Sequence, residues 1–375
     1  MRSVLVHAFL VLVVITSALA SIWQDQVALR HRALYRFLAQ NRPDVSNSCP
    51  TKRYLVIKNQ AYGRTSNMMI ELNHALWLSE QLNSTLVLPA YMTTELFSGF
   101  NTSLLRSRYC FLLDNESSSV SGEVIYIETV EVFYLFPLFH NPTYANYLPD
   151  MAVAVKELSW YFLNVYAGFW CCVAQHTLAA VHYIIDTHLH GDMLYASVHK
   201  RQLEGTCSSI LTRTTAKSDF DPGEIALDHA AWQGAIHKNH PLCHMPYEFV
   251  QATMQLHHMN NSQLYVAHDG QHDVSGYLKH GAVFGHVLDN TVYHNVNRMQ
   301  VDVLMCMHSA LFVQNIKSTL SWQIYIIRLI LSLPTVPALA NDFFVRKLPE
   351  GLEIEKRVLW VSWYSTKQAL LDHSN

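Results

Sequence analysis

Short apolar runs alternate with stretches of helical periodicity in the first half of the chain. Residues 54–57 form one run, and apolar side chains then recur every three or four positions from Met68 to Leu82, after a turn at Gly63. A second run covers residues 85–88. Strand, glycine turn, helix and strand make a βαβ unit with parallel strands and a right-handed crossover. The pattern therefore predicts a parallel α/β domain.

The same alternation returns in the second half. Strands are predicted at residues 193–198, 264–267 and 311–313, with helices at 247–257, at 301–308 and after Thr319. Between the halves, residues 146–190 are strongly apolar and helical in pattern. Polar residues such as Asn164 and His182 interrupt them, which favours buried helices over a second membrane span. We therefore predict two Rossmann-like domains, 49–190 and 191–375.

The first 20 residues have the pattern of an entry signal for the secretory pathway. Arg2 precedes an apolar stretch that ends in Ala18-Leu19-Ala20, a small-x-small cleavage pattern. Cleavage as a signal peptide is favoured, and retention as a membrane anchor is the alternative. Residues 21–48 are predicted to form a stem or an N-terminal helix outside the core. Four Asn-x-Ser/Thr triplets agree with the lumen of the endoplasmic reticulum or Golgi, at Asn83, Asn101, Asn115 and Asn260.

Seven cysteines in 375 residues suit an oxidising compartment without making a disulfide scaffold. We predict disulfides between Cys49 and Cys110 and between Cys207 and Cys243. The other three cysteines lie in apolar runs and are predicted to be small buried residues: Cys171, Cys172 and Cys306.

The charge of the chain excludes nucleic acid as a partner. The formal net charge is −3, and no run of Lys and Arg supplies the basic stripe that nucleic-acid binding needs. A nucleotide diphosphate is a different ligand, because two or three placed donors neutralise it without changing the overall charge.

Ligands of open α/β sheets bind beyond the carboxyl ends of the strands, so residues after strands are the candidates for chemistry. In the first such segment, Gly63 permits a tight turn, Arg64 follows it, and Asn67 opens a helix whose N-terminus favours an anion or a substrate oxygen. An ordinary helix cap is the alternative function of this segment.

Two more candidate segments follow strands of the second half. His199 and Arg201 end one strand, and the planar Arg201 guanidinium can hold two phosphate oxygens. The alternative is a surface salt bridge from Arg201 to Glu204. Asp269 ends the next strand, where its carboxylate can accept hydrogen bonds from a guanine edge or serve as a turn residue.

The last candidate segment runs from Asp302 to Thr319. Ser318 and Thr319 stand where a helix should begin, so their backbone N–H groups and hydroxyls would point at a bound ligand. Simple capping of that helix explains them equally well.

Together these segments resemble the GDP-fucose fucosyltransferases, the superfamily of protein O-fucosyltransferases and α1,6-fucosyltransferases. Its G-R-x-x-N motif matches residues 63–67, with the strand LNSTLVLP after it, and its H-x-R motif matches residues 199–201. Its third motif, an Asp, a hydrophobic helix and F-V-x-N-x-x-S-T, matches Asp302 with FVQNIKST. The resemblance spans about residues 53–330.

The resemblance implies a GT-B fold, in which two Rossmann-like domains face a central cleft. It further implies an inverting, metal-independent transfer of fucose from GDP-fucose, the donor substrate, to a hydroxyl of a protein or glycan. Arg201 would stabilise the GDP leaving group, and His199 would contact the ribose or phosphate. Ser318 and Thr319 would bind phosphate.

The remaining matched residues also receive roles from the resemblance. Asp269 or Asp302 would seat the nucleotide, Gly63 and Arg64 would lie at the sugar nucleotide, and Asn67 would lie near the fucose and the acceptor hydroxyl. Family members with a carboxylate base carry it just before G-R-x-x-N, where this chain has Ala61-Tyr62. The base is therefore unassigned, and Glu71, one helical turn beyond Asn67, is a candidate.

Two other functions remain compatible with the sequence. A transferase for another nucleotide sugar would use the same phosphate-binding residues, and a catalytically silent glycan- or protein-binding relative would keep the fold. No HExxH motif or Cys/His quartet predicts a metal, although the chain has 22 histidines. No GxGxxG fingerprint predicts a nicotinamide enzyme.

Overall fold

The computed structural model describes most of the chain between residues 25 and 336. The described ranges are 25–40, 49–58, 65–97, 100, 102–119, 121–135, 138–139, 141–149, 151–190, 194–201, 241–260, 262–270, 273–315 and 318–336. Several predictions fall outside these ranges: the signal or anchor at 1–20, Cys207 of the predicted pair with Cys243, Gly63, Arg64, Asn101 and Glu204.

The chain divides into two compact units. The described residues of Tyr35–Val173 form the amino-terminal unit, and those of Met1–Leu34, Ala174–Thr215 and Phe220–Ala338 belong to the carboxy-terminal unit. Each unit contains one parallel sheet with helices, which confirms the predicted α/β class. The domain boundary near residue 190 and the central cleft stay predictions.

The segment predicted to be a stem contains a helix, α1, over residues 25–40. Val27, Leu34 and Leu38 are buried, because their spacing of seven and four residues puts them on one face of the helix. Arg30 donates a hydrogen bond of 2.7 Å from Nη1 to the carbonyl oxygen of His308. These residues are therefore part of the packed protein.

Four parallel strands form the sheet of the amino-terminal unit, in the order β3-β2-β1-β4. Residues such as Leu55, Ile57 and Leu86 are fully buried, because a parallel sheet is covered on both faces. The elements in chain order are β1 (Arg53–Lys58), α2 (Thr65–Gln81), β2 (Thr85–Val87), α3 (Ala90–Phe97), α4 (Thr102–Arg108), β3 (Phe111–Leu112), β4 (Glu123–Glu128), α5 (Thr129–Tyr134), α6 (Pro142–Ala145) and α7 (Met151–Trp170).

The most apolar helix of this unit, α7, is a core helix. Phe162, Val165 and Tyr166 on α7 are completely buried, and Glu157 accepts a hydrogen bond of 3.2 Å from the Trp77 indole of α2. Within the described ranges, no helix combines the length and the apolar character that crossing a membrane requires.

A disulfide joins the segments that lead into β1 and β3. Cys49 and Cys110 are bonded, as predicted, and they are 61 positions apart in the sequence. Cys171 and Cys306 are buried and Cys172 is half-buried, and none of the three belongs to this disulfide. Three of the four asparagines in glycosylation triplets are exposed: Asn83, Asn115 and Asn260.

Five parallel strands form the sheet of the carboxy-terminal unit, in the order β7-β6-β5-β8-β9. Ala196 pairs with Leu264 on one side and with Leu311 on the other. The elements are α8 (Gln175–His188), β5 (Ala196–Lys200), α9 (Pro241–His244), α10 (Tyr247–Leu256), β6 (Leu264–His268), α11 (Ser275–Lys279), β7 (Val283–Phe284), α12 (Arg298–His308), β8 (Leu311–Val313), α13 (Thr319–Ile330) and β9 (Thr335–Val336).

One buried guanidinium holds the connection from α12 into β8. Arg328 on α13 is completely buried, and burial lowers its pKa to about 9, so it stays cationic at neutral pH. It donates to carbonyl groups at the end of α12 and just before β8 and β9. Its acceptors are the carbonyl oxygens of Cys306 (2.9 Å), Met307 (3.1 Å), Ser309 (2.8 Å), Ala310 (3.4 Å) and Pro334, and the Thr335 hydroxyl (3.1 Å).

We expect Arg328→Met to lower the free energy of unfolding by about 3 kcal/mol or more, because several buried carbonyl groups lose their donor at once. Arg298→Met is the matched control, since Arg298 makes a half-exposed ion pair with Asp289 and should change stability by at most about 1 kcal/mol. Urea unfolding of the two variants measures both values. Equal effects would contradict the role given to Arg328.

Candidate functional site

The carboxyl edge of the carboxy-terminal sheet has a topological switch point between β5 and β8. The chain proceeds from β5 outward through β6 to β7 and then returns to place β8 on the opposite side of β5. Ligands of open α/β sheets bind at such a point, because the connections on its two sides run in opposite directions and leave a crevice. His199 and Arg201 lie at the end of β5, and Ser318 and Thr319 follow β8.

Two hydrogen bonds join the end of β5 to the segment after β8, and a third lies within that segment. The Asn315 side chain donates from Nδ2 to the carbonyl oxygen of Arg201 at 2.6 Å, and its backbone N–H donates to the Ser321 hydroxyl at 3.1 Å. That hydroxyl also contacts Nδ1 of His199 at 2.9 Å. Residues more than 100 positions apart in sequence are thereby held as one constellation.

His199 is a buried, neutral imidazole. Burial, and after it the positive charge of Arg201, lowers the pKa of His199 to about 3. Since Ser321 engages Nδ1, Nε2 is the nitrogen through which His199 would meet a ligand. His199 can therefore orient a ligand through a hydrogen bond without adding a second positive charge.

Arg201 makes an ion pair across the strand ends of β5 and β6. Its Nε lies 3.9 Å from Oδ2 of Asp269. The Arg201 side chain is 28% exposed and the Asp269 side chain is 16% exposed. A guanidinium has five N–H donors, so it can bind a carboxylate and a phosphate together. Asp269 thus has a second possible role beside the predicted contact with a nucleotide, which is to orient Arg201.

The first turn of α13 has an unsatisfied hydroxyl. Ser318 is the N-cap of this 12-residue helix, yet its side chain makes no capping bond. Its Oγ is buried and has no hydrogen-bond partner among the described residues, and Ser318 is 1% exposed. Thr319 is the first helical residue and is half-buried. Backbone N–H groups at a helix start together with such a hydroxyl suit an anion.

Asp302 lies on the β6–β7 side of the same sheet. It is buried on α12, and its Oδ1 accepts a hydrogen bond of 2.6 Å from the Tyr265 hydroxyl. Burial raises the Asp302 pKa to about 7, while Tyr265 and Arg298 act in the opposite direction. Gly285 follows β7, and a Cβ there would stand 3.3 Å from the Tyr265 hydroxyl and 3.4 Å from Oδ1 of Asp302. Asp302 is therefore set apart from the residues at the switch point.

Asn67 belongs to the amino-terminal unit. It is the third residue of α2 and is half-buried. The structure thus brings together His199, Arg201, Asp269, Ser318 and Thr319, places Asp302 on another part of the same unit, and places Asn67 in the other unit.

Two residues that organise the site were missed from the sequence. Asn315 was visible as a letter of FVQNIKST and Ser321 stands one helical turn after Ser318, but nothing in their spacing indicated contacts with Arg201 and His199. Within the described ranges, no three side chains among His, Cys, Asp and Glu are grouped to hold a metal ion.

We expect the stability of the protein to depend on pH through Asp302. Its pKa in the folded protein, about 7, exceeds the ordinary value of 3.8, so the folded state holds a proton that the unfolded chain has lost. The stabilisation from the protonated Asp302 is fully present below pH 3.8 and is lost as pH rises towards and through 7. The free energy of unfolding falls by at most about 1.4 kcal/mol per pH unit in this range.

Asp302→Asn should remove this part of the slope, since the amide oxygen still accepts from Tyr265 but does not ionise. Urea unfolding of the two proteins between pH 5 and pH 8 measures the difference. Parallel stability curves would show that Asp302 titrates normally.

No protein-family model matches this chain, and no curated protein sequence matches it. Crystal structures of POFUT1 are similar to it. The apo form has 14% identity and a TM-score of 0.48, with 77% of this chain and 98% of that chain covered. The complex with GDP has 14% identity and a TM-score of 0.48, covering 76% and 98%. The complex with GDP-fucose has 12% identity and a TM-score of 0.46, with 76% of this chain and 95% of that chain covered. A likeness at these TM-scores assigns no activity, ligand or residue role to this chain.

Proposed function

We propose that this chain is an inverting, metal-independent glycosyltransferase that moves fucose from GDP-fucose to a hydroxyl of a protein or glycan in the lumen of the secretory pathway. The observation that carries the proposal is the constellation at the β5–β8 switch point. It combines a cation, a neutral imidazole and an unsatisfied buried hydroxyl at a helix start. Fucose as the sugar comes from the resemblance of the three motifs to fucosyltransferases.

A diphosphate fits the chemistry of these groups. Arg201 supplies a positive charge and a planar set of donors, while the N–H groups of the first turn of α13 and the Ser318 hydroxyl supply further donors. His199 adds one uncharged hydrogen-bonding nitrogen. These donors together can hydrogen-bond a diphosphate without a metal ion.

The same groups would stabilise the transition state. Negative charge grows on the phosphate oxygen as the bond from fucose C1 to that oxygen breaks, while the acceptor oxygen bonds to C1 from the opposite face. A fixed cation at that oxygen lowers the barrier more than it stabilises bound donor. In this proposal Arg201 is the catalytic residue at the leaving group, and Asp269 and Asn315 position it.

We expect GDP to raise the melting temperature of the protein in the presence of EDTA. Binding to the folded state alone adds about 2.7 kcal/mol at a concentration 100 times Kd, which corresponds to roughly 5–10 °C. Differential scanning fluorimetry with GDP, UDP, ADP and CDP measures the selectivity. A rise with another nucleotide but none with GDP would contradict the choice of donor.

We expect Arg201→Ala to lower kcat for fucosyl transfer by about 100- to 1000-fold, the usual loss for one preorganised electrostatic group. Arg201→Lys should not restore the rate, because an ammonium keeps the charge but lacks the planar arrangement of donors. Initial rates with GDP-fucose and a panel of acceptors measure both.

Asp269→Asn is the matched control for Arg201. If Arg201 only stabilises the fold through Asp269, the two substitutions should lower the melting temperature equally and leave turnover near normal. An Arg201→Ala protein within about threefold of the parental rate would remove Arg201 from the site. GDP binding without transfer or hydrolysis of any sugar nucleotide would instead indicate a binding protein.

A further inference from the structure

A buried carboxyl group lies at the carboxyl edge of the amino-terminal sheet. Glu71 on α2 is completely buried, and its Oε1 accepts a hydrogen bond of 2.7 Å from the Tyr91 hydroxyl. Tyr91 is the second residue of α3, directly after β2. Its hydroxyl also lies 3.3 Å from the hydroxyl of Thr129, which follows β4. We call Glu71, Tyr91 and Thr129 the carboxyl triad.

The carboxyl triad lies at the switch point of its own sheet. The chain leaves β1 through β2 to β3 and returns to put β4 on the other side of β1. Thr129 bridges these two strand ends, since its hydroxyl donates to the carbonyl oxygen of Lys58 at 2.7 Å. A ligand site is expected at this place in an open parallel sheet. Asn67 lies four residues before Glu71 on the same face of α2.

The fold does not require a carboxyl group at this position. A glutamine would accept the Tyr91 hydrogen bond equally well and would not ionise. The second oxygen of Glu71, Oε2, is buried and has no hydrogen-bond partner among the described residues, which is uncommon for a purely structural carboxyl. Burial raises the Glu71 pKa to about 7, and the Tyr91 and Thr129 hydroxyls partly oppose this shift.

Tyr91 is the titratable group that contacts this carboxyl. Elsewhere on α2, His74 contacts the carbonyl oxygen of Val132 on α5, and Glu157 of α7 accepts from Trp77. On α5, Glu131 accepts from the backbone of Glu128. The Lys58 ammonium of β1 lies over the Tyr126 ring. Burial, partly opposed by two neutral hydroxyls, thus sets the pKa of Glu71.

We infer that the carboxyl triad is the acceptor-side site of the proposed transferase, in which Tyr91 contacts the acceptor hydroxyl and Glu71 receives the proton. The inference rests on the proposed function and deepens it. As the acceptor oxygen bonds to C1 of the sugar, its proton passes to the Tyr91 oxygen, and the Tyr91 proton passes to Oε1 of Glu71. GDP leaves with the electron pair of the C1–O bond, and Glu71 ends as a neutral acid.

The geometry suits this relay. Tyr91 is half-buried, so it can meet a ligand and the buried carboxylate at the same time, whereas Glu71 is shielded from water. A group whose pKa lies near 7 is the most efficient proton acceptor at neutral pH. Glu71 is therefore a positioning residue that acts through Tyr91, and Tyr91 is the catalytic residue.

The test compares Tyr91→Phe and Glu71→Gln with the matched pair Tyr161→Phe and Glu80→Gln. Tyr161 also donates to a glutamate of α2, at the opposite end of that helix. We expect the first two substitutions to lower kcat for transfer by about a hundredfold or more, the usual contribution of general base catalysis, and the control pair to change it by less than threefold. GDP binding should be unchanged in all four.

The pH profile separates proton transfer from a structural role. The parental kcat should rise with pH through about 7 as Glu71 ionises, and Glu71→Gln should lose this limb. Thr129→Val keeps the carboxyl but removes a hydroxyl that lowers the Glu71 pKa, so the limb should move to higher pH. This variant keeps the test decisive if Glu71→Gln does not fold.

Two results would overturn the inference while leaving the transferase proposal intact. One is parental transfer with Glu71→Gln, and the other is a pH limb that neither Glu71→Gln nor Thr129→Val moves. Absence of GDP binding and of donor turnover in the parental protein would instead refute the proposed function itself. Donor hydrolysis that persists in Tyr91→Phe while transfer is lost would support the acceptor-side assignment.

Discussion

The parallel pairing of β5 with β8 is the interaction on which the candidate site depends. It places Val198 beside Val313, so the residues that follow the two strands leave the sheet at one edge. Arg328 supports this pairing by binding the carbonyl groups of Ser309 and Ala310, where the chain turns from α12 into β8. Because a parallel strand cannot be placed by a local hairpin, a distant cation that fixes the entry into β8 also fixes the register of the site.

Both units contain a buried carboxyl group that accepts from a tyrosine. Asp302 with Tyr265 and Glu71 with Tyr91 share a pKa near 7, and burial is the main cause in each. Their surroundings differ in one respect. The positive charge of Arg298 acts on Asp302, whereas among the described residues Glu71 has two neutral hydroxyls beside it and an oxygen without a hydrogen-bond partner. The surroundings of Glu71 suit the proposed proton transfer, since a proton acceptor must change charge during the reaction.

At the switch point, Arg201 and Asp269 form an ion pair. Burial keeps His199 neutral next to Arg201, and Asp269 balances the guanidinium before a ligand binds. A diphosphate would accept hydrogen bonds from the guanidinium and from the start of α13, so local donors would bind the anion although the chain has a net charge of −3. The unsatisfied Ser318 hydroxyl points to the same conclusion, because a buried donor without a partner costs free energy in the unliganded protein.

Periodicity by itself determined the class of fold, because a buried strand and a helix with one apolar face leave distinct repeats in the sequence. It also placed Arg201 and Asp269 at strand ends, since a strand's last residue is read directly from the end of its apolar run, and Ser318 at the start of a helix. The buried face of α1 was visible in Val27, Leu34 and Leu38, although the segment was interpreted as a stem. The Cys49–Cys110 bond was predicted correctly, but its partners meet only because β2 pairs with β3.

Tertiary structure alone decided which of these side chains meet. Arg201 pairs with Asp269 because β5 and β6 are neighbours in register, and Asn315 contacts Arg201 because β8 lies on the other side of β5. Glu71 was a candidate from its helical spacing to Asn67, yet its burial and its bond to Tyr91 depend on the packing of α3 and α5 against α2. The apolar pattern of a sequence indicates which residues are buried. Contacts between residues more than 100 positions apart depend on strand order and register, which no local pattern encodes.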